Sequence, residues 1–100
     1  GKHFPDTSDK YKGIDSKILL KEVMLLVREK GYEIGNIDST ICLQTPKIGP
    51  YIPEMQKVLA SCMGVDVDLV SIKATTTEKL SFVGREEGVS AYATVLIQKT

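Results

Sequence analysis

Apolar residues recur along this chain with two different periods, and the switches between them mark out its elements. From Ser16 to about Lys30, the residues Leu19, Leu20, Val23, Met24, Leu26 and Val27 fall at three- and four-residue steps, while Lys17, Lys21 and Arg28 fall on the opposite side. That spacing predicts a helix with a broad buried stripe and a solvated back, capped by Asp15 or Ser16 and stopped at Gly31. Residues 34–45 then alternate, with Ile37, Ser39, Ile41 and Leu43 on one face and Asp38, Thr40, Cys42 and Gln44 on the other, which predicts a strand. Pro46, Gly49, Pro50 and Pro53 break the alternation before a second helix, whose stripe is Ile52, Met55, Leu59 and Cys62 up to Gly64. Leu69 to Thr75 alternates again, a polar turn covers Glu78 to Gly88, and Val89, Ala91, Ala93, Val95 and Ile97 form the inner face of a last strand. Residues 1–15 show neither period and read as a surface loop.

Two helices and three strands in this order predict an α+β fold, a mixed sheet with the helices packed on one face. The strand-helix-strand step acts as a right-handed crossover between parallel strands. One hundred residues suffice for one domain, either whole or part of one. At 42% hydrophobic and 26% charged residues the chain lies within the globular range and far from disorder. Its 13 basic and 13 acidic residues cancel, and no basic stripe with interleaved aromatics exists, so nucleic acid is not expected as a partner. No apolar run is long enough to span a membrane. Cys42 and Cys62 lie too far apart for a zinc knuckle and read as packing residues, and His3 alone cannot build a histidine metal site.

Four segments carry more polar and backbone-special residues than packing needs. Phe4-Pro5-Asp6-Thr7-Ser8 sets a rigid step before a carboxylate and two hydroxyls, although taken alone an ordinary Asx or ST turn explains it better. Gln44 to Gly49 follows a strand end, where Pro46 and Gly49 expose backbone amides and Lys47 adds a donor. Lys73 to Lys79 ends a strand in Thr75, Thr76 and Thr77, which suit phosphate oxygens, with Glu78 able to hold the divalent cation that a diphosphate carries. Phe82 to Arg85, with Gly88, is a turn bearing an aromatic ring and a guanidinium that Glu86 or Glu87 can neutralise.

Taken jointly, GKHFPDTS, GYEIGNID, QTPK followed by the IP of Ile52-Pro53, and above all KATTTEKLSFVGREEG resemble the 2-C-methyl-D-erythritol 2,4-cyclodiphosphate synthase family over essentially the whole chain. The resemblance implies a metal-dependent, homotrimer-forming lyase of non-mevalonate isoprenoid biosynthesis, located in a bacterial cytoplasm or a plastid, that cyclises a cytidine diphosphate derivative and releases CMP. It implies an erythritol-side pocket at Gly1 and Phe4, Pro5, Asp6, Thr7 and Ser8. Leu43, Gln44, Thr45, Pro46, Lys47, Ile48 and Gly49 become the cytosine pocket. Ala74, Thr75, Thr76 and Thr77 become the ribose and phosphate cradle, with Thr76 stabilising the transition state. Glu78 becomes a ligand of Mg2+ or Mn2+, and Phe82 and Arg85 further substrate contacts. Ser8 stands where the family commonly has Asp. The family's Zn2+ ligands, an Asp-x-His pair and a later His, have no counterpart in these residues. The chain is therefore expected to be the C-terminal part of a longer enzyme, inactive alone, with an unpaired sheet edge and an exposed apolar face. The competing expectation is a non-catalytic α+β module for ligand binding or oligomerisation.

Overall fold

A computed structural model describes residues 1–100. Helix α1 (Ser16–Glu29) leads into strand β1 (Tyr32–Cys42), and a 3-10 turn at Gly49–Tyr51 opens α2 (Ile52–Met63). Strand β2 (Val70–Thr75), a single helical turn α3 (Ser81–Gly84) and strand β3 (Ser90–Lys99) complete the chain. The sheet order is β2-β1-β3, with β1 parallel to β2 and antiparallel to β3, so the mixed sheet and the parallel crossover through α2 are both present.

The ends of the helices follow local chemistry. The Asp15 carboxylate accepts from the Lys17 amide at 2.9 Å, satisfying one orphan donor of α1, and that bond holds the Asp15 carboxyl below its ordinary value. Pro53 lies in the first turn of α2, where its missing N–H costs nothing, and Gly64 ends the helix in the left-handed region at φ 65°.

Both helices lie on one face of the sheet. Met24, Ile34, Ile37, Ala60, Met63, Val70 and Ile72 form the buried core, each full burial contributing about 1.5–3 kcal/mol for the larger side chains. Ile34 and Ile37 have opposite parity, which a regular strand would place on opposite faces. A bulge between Ile34 and Asn36 inserts Gly35 and brings both isoleucines to the helix side. A β-carbon at Gly35 would lie 3.2 Å from the Leu96 carbonyl oxygen, so the bulge also needs a small residue there.

Three expectations require correction. The stripe of α1 is only partly covered: Met24 is buried, Leu20 and Val27 are half-buried, and Val23 is 37% exposed. Three strands give too narrow a platform to cover two helices, and the radius of gyration of 15.3 Å exceeds the roughly 13 Å of a close-packed 100-residue domain. The stripe of α2 includes Ala60 and Met63, with Cys62 only half-buried beside them. Arg28 stays exposed but is not left free: its Nη2 donates to the Met63 carbonyl at 2.6 Å and its Nε to Glu33 at 2.6 Å. It thereby satisfies an orphan carbonyl at the end of α2 and ties that helix to α1 and β1.

No helix is long and apolar enough to cross a membrane.

A candidate nucleotide cleft at the ends of the parallel strands

Strands β1 and β2 run side by side in register from Ile37 with Val70 to Cys42 with Thr75, so their C-terminal ends finish together. The loops leaving those ends must diverge, and the crevice between them is where ligands bind in sheets with parallel strands. Here it is a cleft of about 300 Å³, walled on one side by Leu43, Gln44, Pro46, Lys47, Ile48 and Gly49 and on the other by Ala74, Thr75 and Thr76. Two segments that are 25 or more positions apart in sequence thus form one site, stitched at its base by the Leu43 amide donating to the Thr75 carbonyl at 2.9 Å. Lys47 is exposed at this cleft and takes part in no ion pair. Thr45 is exposed and is not among the cleft walls.

The three threonines are not equivalent. Thr75 Oγ1 donates to the Thr76 carbonyl at 3.0 Å and Thr77 Oγ1 donates to the Leu80 carbonyl at 2.7 Å, which spends both protons on the backbone. Thr76 Oγ1 instead accepts from the Glu78 amide at 3.3 Å, so its own proton is free. Diphosphate oxygens only accept, and Thr76 is therefore the one hydroxyl of the three that can donate to them without breaking a bond. Thr77 serves the loop rather than the cleft.

Beyond Thr76 the chain turns sharply. Glu78, Lys79 and Ser81 have φ of 54°, 62° and 62°, left-handed values that cost non-glycine residues about 1 kcal/mol or more each. This was expected as a plain polar turn; it contains α3, and the strain is held by specific contacts. The Lys79 amide donates to Gln44 Oε1 at 3.1 Å, and Gly84 packs directly on the Lys79 backbone. Phe82 lies 46% exposed with its ring against Gly88, while Arg85 pairs with Glu87 at 2.7 Å, neither lining the cleft.

Glu78 is exposed, its carboxylate forms no ion pair, and no cluster of three or more His, Cys, Asp or Glu side chains occurs in the chain. One carboxylate fits Mg2+ or Mn2+ only as a partner to substrate phosphate oxygens, the usual arrangement for those ions. The residues present do not fit Zn2+, which takes three or four nitrogen, sulfur or carboxylate ligands.

The N-terminal loop stands elsewhere. Phe4 packs edge-on against Tyr11 at 5.5 Å, and His3, Phe4 and Tyr11 sit over Glu22, Leu25 and Glu29 of α1. His3 also lines a shallow hollow together with Lys30 and Tyr32 at the start of β1. Gly1, Asp6 and Thr7 are exposed, Pro5 and Ser8 are half-buried, and none lines the cleft. From Tyr32 to Cys42 a strand extends about 33 Å, which puts loop and cleft at opposite ends of β1. Sequence reasoning included Gly84 in a turn but missed its contact with Lys79, and missed the Arg28 clamp.

The YgbB family pattern matches residues 1–98. The 2-C-methyl-D-erythritol 2,4-cyclodiphosphate synthase of Bacteroides fragilis is 65% identical over 99 residues, covering 99% of this chain and 62% of that protein. The chain thus spans less than two thirds of the length of the curated relatives it matches. Among solved structures, the bifunctional IspDF of Campylobacter jejuni superposes with a TM-score of 0.95 at 39% identity, over 100% of this chain and 27% of that one. The IspF of Plasmodium falciparum, solved as a CDP complex, gives a TM-score of 0.81 at 30% identity, over 85% and 55%. With its fold and nearly all its residues matched, this chain belongs to the YgbB family.

Proposed function

We infer that the chain supplies the nucleotide-binding part of a 2-C-methyl-D-erythritol 2,4-cyclodiphosphate synthase site. The observation that carries this reading is the convergence of Leu43–Gly49 and Ala74–Thr76 on one cleft at the ends of parallel strands, with Thr76 holding an unspent proton. The reaction moves one phosphoryl bond. An oxygen of the substrate's 2-phosphate attacks the β-phosphorus of its cytidine diphosphate group, the bond from that phosphorus to the bridging oxygen breaks, and CMP leaves with the bonding pair. Such transfers depend on positioning and charge neutralisation more than on covalent help from the protein.

The Leu43–Gly49 wall holds the base with backbone groups and Lys47. Thr76 donates to a diphosphate oxygen as charge moves onto the leaving CMP. Thr75 and Ala74 line the ribose side, and Glu78 is placed to hold Mg2+ or Mn2+ together with phosphate oxygens. That ion, when bound, neutralises diphosphate charge and fixes its geometry. Zn2+ belongs to this reading only through ligands outside these residues.

Gly1 and Phe4 to Ser8 are assigned the erythritol end of the substrate, with Phe4 against carbon and Asp6 accepting its hydroxyls. Loop and cleft lie toward opposite ends of a strand about 33 Å long, which supports a loop drawn from a second copy; sites shared between subunits of a homotrimer meet that need. Phe82 and Arg85, which do not line the cleft of their own chain, are assigned further substrate contacts in this scheme. The compartment follows the organism, bacterial cytoplasm or plastid.

Calorimetric titration of CDP with Mg2+ into the full-length protein tests the assignment. Lys47→Ala is expected to weaken binding about tenfold or more, as loss of a charge-assisted bond does, and Thr76→Val to lower turnover more than affinity. A protein that takes up no CDP, or variants that bind and turn over like the parent, would remove the reading.

A further inference from the structure

We propose that Gln44 is a positioning residue: its side chain latches the Lys79 peptide from across the cleft and so fixes where Thr76 and Glu78 stand. This rests on the nucleotide reading above and gives Gln44 a task different from touching the base.

The geometry is specific. Gln44 Oε1 accepts from the Lys79 amide at 3.1 Å, joining loops 35 positions apart. A backbone N–H can only donate, so the oxygen of the Gln44 amide must face Lys79. The peptide that follows, Lys79–Leu80, is backed by Gly84, where any β-carbon would lie 2.1 Å from the Lys79 carbonyl carbon. Lys79 is therefore held from two directions, in a stretch where it and Glu78 both have left-handed backbones. Left-handed residues relax unless their surroundings over-determine them, and the only side chain bonded to either peptide from outside the loop is Gln44. Relaxation of Lys79 would carry Glu78 with it and release the bond from the Glu78 amide to Thr76 Oγ1. The cytosine wall, Leu43 with Pro46 to Gly49, does not depend on that peptide.

The test compares the full-length parent with Gln44→Met, which keeps length and loses the acceptor, and Gln44→Glu, which keeps an acceptor. Amide exchange across residues 76–84 and affinity for Mg2+ with CDP, beside CMP alone, are read together. Gln44→Met should exchange faster around Lys79, bind Mg2+ and CDP about tenfold more weakly, and bind CMP within about twofold of the parent, consistent with loss of one hydrogen bond. Gln44→Glu should restore the exchange pattern. Unchanged exchange in Gln44→Met overturns the latch, whatever happens to affinity. Faster exchange with unaltered affinity overturns its positioning role, and an equal loss of CMP and CDP shows that Gln44 contacts the base instead. A parent that binds no cytidylate defeats the nucleotide reading, while the exchange data still decide whether the latch exists.

Discussion

Replacing Gly84 with alanine adds one methyl group, and its position makes the consequence calculable. The new carbon would lie 2.1 Å from the Lys79 carbonyl carbon, 2.6 Å from its Cα and 2.7 Å from its oxygen. Ordinary contact begins near 3.4 Å, so one backbone must retreat by about 1.3 Å. All three neighbours are main chain, which no rotamer change can relieve. The adjustment also cannot be absorbed by the strained side of the turn without breaking the Lys79 bond to Gln44. Overpacking of this kind costs about 1–3 kcal/mol, measured as a shift in the denaturant midpoint at constant slope. A displacement near 1 Å in a group that orients substrate can cost about 10²-fold in turnover, so kcat should fall further than CDP affinity. Gly84→Ser should behave alike, whereas Gly49→Ala, where nothing lies within 4 Å, should leave stability near the parent value. A Gly84→Ala protein with parental midpoint and parental turnover would refute the steric reasoning outright.

Arg28→Met should destabilise the full-length protein by about 0.5–1.5 kcal/mol, the value of the bond to the Met63 carbonyl. The Glu33 pair adds little because both side chains are more than a third exposed, so Glu33→Gln should shift the melting midpoint by much less than Arg28→Met. If the loop of one subunit completes the cleft of another, mixing Phe4→Ala protein with Lys47→Ala protein and allowing exchange should recover about a quarter of parental turnover from two weak parents, the share of sites that draw both intact halves. No recovery after verified subunit exchange would place loop and cleft in one chain.

Local chemistry made much of this fold legible. Asp15 before an apolar-periodic run and Gly64 after one are signals that depend on no distant residue, and both helix ends fall where those residues stand. The alternation around Val70 and Ile72 likewise gives β2 directly. What escaped the sequence is set by distance along the chain. The bulge at Gly35 depends on Leu96 opposite, and shifts by one the parity that would otherwise separate Ile34 from Ile37. Arg28 has helical spacing of a solvent-facing residue until α2 brings the Met63 carbonyl within reach. In the candidate site, the strings Leu43–Gly49 and Ala74–Thr76 were legible as strand ends with the loops that leave them, and parallel pairing brings them together. The sequence set Thr76 apart by resemblance only; the local carbonyls that take up the hydroxyls of Thr75 and Thr77 are visible in the fold alone.

The same accounting of spent and unspent hydrogen-bonding groups favours the smaller hollow as the proposed nucleotide site. Between the helices and the sheet lies a larger one of about 440 Å³, walled by Leu20, Val23, Val27, Leu59, Val95 and Ile97 among others. Its single polar wall residue is Ser39, whose hydroxyl already donates to the Ser71 carbonyl at 3.1 Å. A phosphate or base placed there would lose its hydration and gain no partner, a penalty of several kcal/mol for each charged group. The 300 Å³ cleft offers the Thr76 proton, the unpaired Lys47 ammonium and backbone groups at two strand ends, so a ligand exchanges water for fixed donors at little net cost. Volume ranks the two hollows one way and donor inventory the other, and for a charged ligand the donors decide.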